Sequence, residues 1–282
     1  MKKAISIWSF ADKSIEDSIL LAAKAGFEGI ELSLDESGPV SLESSDRQLR
    51  NIRAFADDAG IKIHSVASGL YWKYSFTSNN SDERKKASDI AVRHLETAKV
   101  LGADSVLIVP GAVAVEFIPD REVIQYDVAY NRALRAFIDL KPFAESLKIH
   151  IGIENVWNHF LLSPLELRDF IDVIDSAYIG SYLDVGNIIS SGFPEHWIRI
   201  LGKRIKKVHF KDYKKIPGGL NCFVDLLSGD VDWPEVMSAF REIGYDSWCT
   251  AEMIPPYKHY PDQIIYNTSG SMDQILGRKT TC

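Results

Sequence analysis

The sequence predicts an α/β fold closed into a (β/α)8 TIM barrel, one domain over residues 1–282. Three observations lead there. Short apolar, β-rich runs recur eight times, and a helical pattern separates each from the next. The length of 282 residues also fits one such barrel, which takes roughly 250. The strand candidates are AISIWSF (4–10), GIELSL (29–34), IKIHSVA (61–67), SVLIVP (105–110), IHIGIENV (149–156), IGSYLDV (179–185), IKKVHFKD (205–212) and SWCTAEM (247–253). Regular alternation implies right-handed parallel crossovers. An open doubly wound sheet satisfies the same pattern, but the count of eight at this length favours closure. Strand one also runs into SFADKS, with no GxGxxG turn for a dinucleotide.

Helix signals punctuate the runs. Ser14 precedes Ile15 with Asp17 three residues on, Asp46 opens a run to Ala59, and Ser81 or Asp82 opens a long one to Leu101. Ser163-Pro164 joins an N-cap to a proline at the first helical position. Gly26, Gly60, Gly102 and Gly244 each fall between a helix and a strand, the place for a left-handed cap. The stretch 68–80, SGLYWKYSFTSNN, reads as a long aromatic loop fit for a lid.

Acids outnumber Lys and Arg by 39 to 32, and a net charge of −7 argues against a dedicated nucleic-acid binder. No run of about 18 apolar residues is present, so no spanning helix is expected. The N-terminal apolar run lacks a small-residue cleavage site and reads as a buried strand. Cys222, Cys249 and Cys282 form no CxxC pair and fit a reducing compartment, so a cytoplasmic protein is expected.

Barrel chemistry sits at the C-terminal ends of strands. The fifth to eighth candidates end in Ile153-Glu154-Asn155, Leu183-Asp184-Val185, Val208-His209-Phe210-Lys211 and Ala251-Glu252-Met253. Four successive strands thus bring Glu154, Asp184, His209 and Glu252 to one rim. Period-two alternation sets Gly152 with Glu154, Tyr182 with Asp184, and Thr250 with Glu252 on one face. Three carboxylates in one enclosed mouth repel unless neutralised, and a divalent cation removes that cost. Three oxygens and one imidazole suit Mn²⁺, Mg²⁺ or Co²⁺ better than a thiolate-loving ion.

At these residues the sequence resembles the xylose-isomerase-like TIM-barrel superfamily, in its sugar phosphate isomerase/epimerase branch. The motifs are IGIENVW (151–157), YLDVGN (182–187), KKVHFKD (206–212), GDVDWPEVMSAFREIGYDSW (229–248) and TAEM (250–253). The resemblance implies Glu154, Asp184, His209 and Glu252 as ligands of one divalent ion, Mn²⁺ first, with Mg²⁺, Co²⁺ or Zn²⁺ as alternatives. It also implies Glu154 and Glu252 as an acid/base pair acting on a sugar or sugar phosphate through a metal-stabilised enediolate. The chain departs from free-ketose 3-epimerases, which carry a histidine shortly after the strand-six aspartate, where Asn187 stands here. It also lacks their second glutamate after the strand-five one. His64, Lys211, Trp8, Trp157 and Asn187 are candidate substrate-binding residues, with a helix cap as the other role for Asn187. The alternative on the same site is a lyase of the inosose dehydratase kind. A metal-dependent endonuclease, also found in the superfamily, needs additional rim histidines; His94, His196 and His259 fall in helical or loop stretches instead. A homo-oligomer paired through the outer helices is expected by analogy, with no membrane partner.

Overall fold

The computed structural model describes residues 1–254 and 257–278; Cys282 lies outside them. Eight parallel strands close into a ring: β1 (Lys2–Ser6), β2 (Gly29–Ser33), β3 (Lys62–Ala67), β4 (Ser105–Ile108), β5 (His150–Glu154), β6 (Ile179–Asp184), β7 (Ile205–Phe210) and β8 (Trp248–Ala251). Each pairs with its neighbours in sequence, and β1 pairs with β8 to shut the barrel. The helices outside are α1 (Ile15–Lys24), α2 (Asp46–Asp58), α3 (Ser81–Leu101), α4 (Tyr126–Leu147), α5 (Pro164–Ile174), α6 (Pro194–Leu201), α7 (Trp233–Glu242) and α8 (Pro261–Ile275). Among the described residues no helix is long and apolar enough to cross a membrane.

Local chemistry explains the boundaries. Ser14 Oγ accepts from the Asp17 N–H, and Ser163 Oγ from the Glu166 N–H ahead of Pro164. Ser45 and Gln48 form a capping box at α2. Asn80, rather than Ser81 or Asp82, caps α3. The glycines at 26, 60, 102 and 244 all have φ between 70° and 85°, which only glycine adopts without strain.

Register carries the polar residues inward. Thr250 pairs with His209, Asp184 with His209, and Glu154 with Tyr182, so alternate residues of β5 to β8 face the barrel axis. At the N-terminal end, Trp248 fills the base and stacks on His64 with ring centroids 4.7 Å apart. Gly29 makes room for it: a Cβ there would lie 2.6 Å from the indole ring and 2.9 Å from the Lys62 carbonyl. Higher up, Ala67, Leu107 and Tyr182 pack together beneath Trp8. Lys207 is buried with its ammonium 2.7 Å from Asp104, and Arg204 pairs with Asp172, so these bases serve the barrel bottom.

Two further expectations need correction. β1 stops at Ser6 because Ile7–Ser9 tighten into a 3-10 turn. The 68–80 stretch is no free lid. It holds a short helix, Leu70–Lys73, and is pinned to the body by its own aromatics and hydroxyls. Tyr71 hydrogen bonds His94 Nδ1 at 3.0 Å, Phe76 packs on Phe137, and Thr77 Oγ1 donates to the Ala112 carbonyl at 2.6 Å.

Beyond β7 the chain turns into a two-residue ribbon, Asp212–Tyr213 with Phe223–Val224. Asp212 is fully buried and accepts from the N–H groups of Tyr213 and Leu227, both at 2.9 Å, and from the Trp233 indole at 3.0 Å. It ties the loop to the start of α7. Asp212→Ala strands those donors, and urea unfolding is expected to show a loss of about 3 kcal/mol. Burial pushes the Cys249 thiol up to about 12. At pH 8 a thiol reagent is therefore expected to label Cys249 only after the barrel unfolds.

Candidate active site

Glu154 ends β5, Asp184 ends β6, His209 is next to last in β7, and Glu252 directly follows β8. One donor atom from each lies within 4.8 Å of all the others, and all four residues are buried. His209 Nδ1 is 3.4 Å from Glu154 Oε1, 3.4 Å from Glu252 Oε2 and 3.9 Å from Asp184 Oδ2. Among the described residues, Asp184 Oδ2, Glu252 Oε2 and His209 Nδ1 find no partner in hydrogen-bond geometry. Buried orphans of this kind are costly, and charged ones more so. Lys211 supplies part of the compensation, its ammonium lying 2.5 Å from Glu252 Oε2 and 3.1 Å from Asp184 Oδ2. Three carboxylates and one ammonium leave two negative charges, which one divalent cation balances. Oxygen and imidazole donors converging on one point fit such an ion.

Burial raises the Glu154 pKa to about 7, helped by the neighbouring Glu252 and Asp184 and opposed by the His209 contact. Asp184 is likewise raised by burial, against the pull of Lys211. For Glu252 burial loses to the Lys211 and His209 charges, which hold it well below the usual carboxylate range. Burial would also lower His209, but the carboxylates of Glu31 and Glu252 raise it.

Glu31 is the residue that reading strand ends overlooked. It lies inside β2, fully buried, with Oε1 accepting from His209 Nε2 at 2.8 Å. Ser65 Oγ and the Tyr182 hydroxyl each donate to its other oxygen at 2.5 Å. The proton on Nε2 is thereby committed to Glu31, which leaves Nδ1 facing the cluster. A signal was available, since Glu31 falls on the same face as Gly29 and Ser33 in an otherwise apolar strand.

The remaining candidates divide. Lys211 stands on the carboxylates themselves, so its ammonium is already engaged. Asn187 acts around a cap: its N–H donates to Asp184 Oδ1 at 2.8 Å, and its amide donates to the Asn155 carbonyl at 3.0 Å. Asn155 in turn exchanges two 2.9 Å bonds with the Asp184 backbone. Trp157 donates to the Asn187 carbonyl at 3.0 Å and packs on Tyr213 and Phe223. These bonds brace the β5 and β6 ends that present Glu154 and Asp184. Trp8 is half-buried over Tyr182, near the mouth. His64 is not brought to the cluster. It sits a layer below, 1% exposed, with Nε2 3.1 Å from Thr250 Oγ1 and its ring on Trp248. Burial lowers its pKa well below the usual value.

A cavity of about 620 Å³ opens beside these residues, between the loops after β4 to β7. It touches Asn155, Trp157, Asn187 and Tyr213 and does not include the four clustered donors.

A closed β/α barrel with an acid, acid, histidine, acid rim is the class that fold and site define. The chain belongs to the xylose isomerase-like TIM barrel family, whose model matches residues 19–267. It is 23% identical over 258 residues to the provisionally named L-ribulose-5-phosphate 3-epimerase SgbU of Escherichia coli, covering 86% of this chain and 84% of that one. It is 21% identical to an inosose dehydratase of Lacticaseibacillus casei, covering 85% and 82%. In structure it is similar to D-psicose 3-epimerase from Clostridium cellulolyticum H10, with TM-score 0.80, 17% identity and coverage of 98% and 99%. At that identity the likeness carries the fold.

Proposed function

We propose that this protein is a divalent-metal-dependent epimerase or isomerase acting on a ketose or ketose phosphate, with Glu154 and Glu252 as the proton-transferring pair. The observation that carries the reading is the convergence of both glutamates, from strands three apart in the ring, on one point with Asp184 and His209. Epimerases among the relatives support it.

Glu154, Asp184, His209 and Glu252 would hold the ion, with Mn²⁺ the species we assign first. When bound, such an ion polarises a substrate carbonyl and stabilises negative charge on the adjacent oxygens. The chain's own residues handle the protons. One glutamate removes the C–H proton beside the carbonyl, and the other returns a proton to the opposite face, which inverts the centre. Protonation at the neighbouring carbon instead converts ketose to aldose. Glu31 keeps the His209 ring in place and its Nε2 protonated. Trp8, packed over Tyr182, offers an apolar surface against which a sugar could lie.

A dehydratase reading is favoured by one observation, the inosose dehydratase relative. It shares the first proton abstraction and then expels a neighbouring hydroxyl as water. Incubation of the Mn²⁺-loaded protein with ketoses, ketose phosphates and inososes in D₂O separates the readings by NMR. Deuterium beside the carbonyl with an inverted centre is expected; loss of water would assign the lyase, and no exchange with any substrate would overturn both.

Glu154→Gln and Glu252→Gln are each expected to lower kcat by about a thousandfold, and near-normal turnover in either would remove that residue from the pair. Glu31→Gln is expected to weaken Mn²⁺ binding by about tenfold in titration calorimetry while the circular dichroism spectrum is unchanged. Chelation is expected to abolish turnover and lower the Tm, with both restored by Mn²⁺.

A further inference from the structure

The 620 Å³ cavity beside the cluster is not used by the proton-transfer chemistry, yet it falls within the roughly 300–1,000 Å³ of small-molecule sites. It adjoins the reaction centre through the chain itself. Asn155 follows Glu154, Asn187 is bonded to Asp184, and Tyr213 lies two residues beyond Lys211.

Its lining is selective. Trp157 and Phe117 present aromatic surface alongside the largely buried Trp197, Tyr213 and Phe160, and Leu220 stands exposed at the rim. No Lys or Arg is among the described residues that line it. The carboxylate and imidazole there are Glu116 and His159, which pair with each other at 3.1 Å, and Tyr213 adds a phenol. Lys211, the nearest buried cation in sequence, is engaged by Asp184 and Glu252. A phosphate entering this space would meet Glu116 and, among the described residues that line it, no Lys or Arg, the side chains that most often recognise phosphate.

A second observation points to a polar but uncharged guest. Trp197 is 7% exposed and lines the cavity, and among the described residues its indole N–H has no hydrogen-bond partner. The Trp157 indole, by contrast, is satisfied by the Asn187 carbonyl. A free indole donor among aromatic faces suits a hydroxyl-bearing ring, which stacks its C–H face and accepts at an oxygen.

We infer that the cavity is a subsite for an uncharged glycosyl substituent, so that the substrate is a glycosylated ketose and not a sugar phosphate. The inference rests on the ketose reading above and adds the class of its substrate. Binding order and isotope exchange test the two separately.

Calorimetric titration of the Mn²⁺-loaded protein compares fructose, fructose 6-phosphate and 6-O-α-glucosyl fructose, which carry nothing, a charge or a neutral ring at the same oxygen. The glucosyl ketose is expected to bind at least tenfold more tightly than fructose, and the phosphate ester no more tightly than fructose. Ser191→Trp, at an exposed position on the cavity rim, is expected to erase the tenfold advantage and leave fructose affinity unchanged. A tightest phosphate ester, equal affinities, or an equal loss for fructose and its glucoside in Ser191→Trp would overturn the subsite. Deuterium uptake from D₂O is followed on the same three sugars. Uptake without a glucosyl preference sinks the subsite alone. The glucosyl preference without uptake sinks the epimerase reading and leaves the subsite standing.

Discussion

Like charges buried together need a counter-charge, and that constraint organises this barrel. Glu154, Asp184 and Glu252 are withdrawn from water at one mouth, where their mutual repulsion is screened least. Lys211 answers part of it, and the geometry of the remaining donors suits a divalent ion. Without such a partner the arrangement costs stability, which is why it reads as a site and not as scaffolding. The perturbation falls unequally, with Glu154 pushed up and Glu252 held down. The two glutamates are therefore not interchangeable, although they share a residue type and a rim.

Around that charge cluster the fold is braced by hydrogen bonds that hold each donor from behind. Glu31 secures the imidazole from inside the barrel, itself held by Ser65 and Tyr182. Asn155, Asn187 and Trp157 form a chain that fixes the backbone at Asp184. A metal or catalytic constellation depends on this outer support as much as on the ligands themselves. The same chain also forms part of the wall of the neighbouring cavity, so the elements that position the carboxylates also shape the space beside them.

Much of the architecture was legible from residue patterns. Period-two alternation alone puts Glu154, Asp184 and Glu252 inward, and the glycines at 26, 60, 102 and 244 mark the helix ends. The limits of such reading are equally specific. Glu31 escaped because attention to strand ends ignores a carboxylate in mid-strand, and its partner His209 is 178 residues away. His64 looked like a rim residue, yet it stacks on Trp248 below the cluster, and a register irregularity in the β2–β3 pairing lies beside it. The 68–80 stretch looked like a lid because its aromatics had no visible partners. Those partners, Phe137 and His94, sit on other helices.

By itself the sequence determined the barrel, the count of its strands and which side chains face inward, because these follow from local periodicity and caps. Only the tertiary structure decided which inward groups touch: that Glu31 holds His209, that Lys211 spends its charge on two carboxylates, and that an aromatic cavity lies alongside. Those contacts join residues far apart along the chain, and barrel closure, with the register of each strand pair, sets their distances.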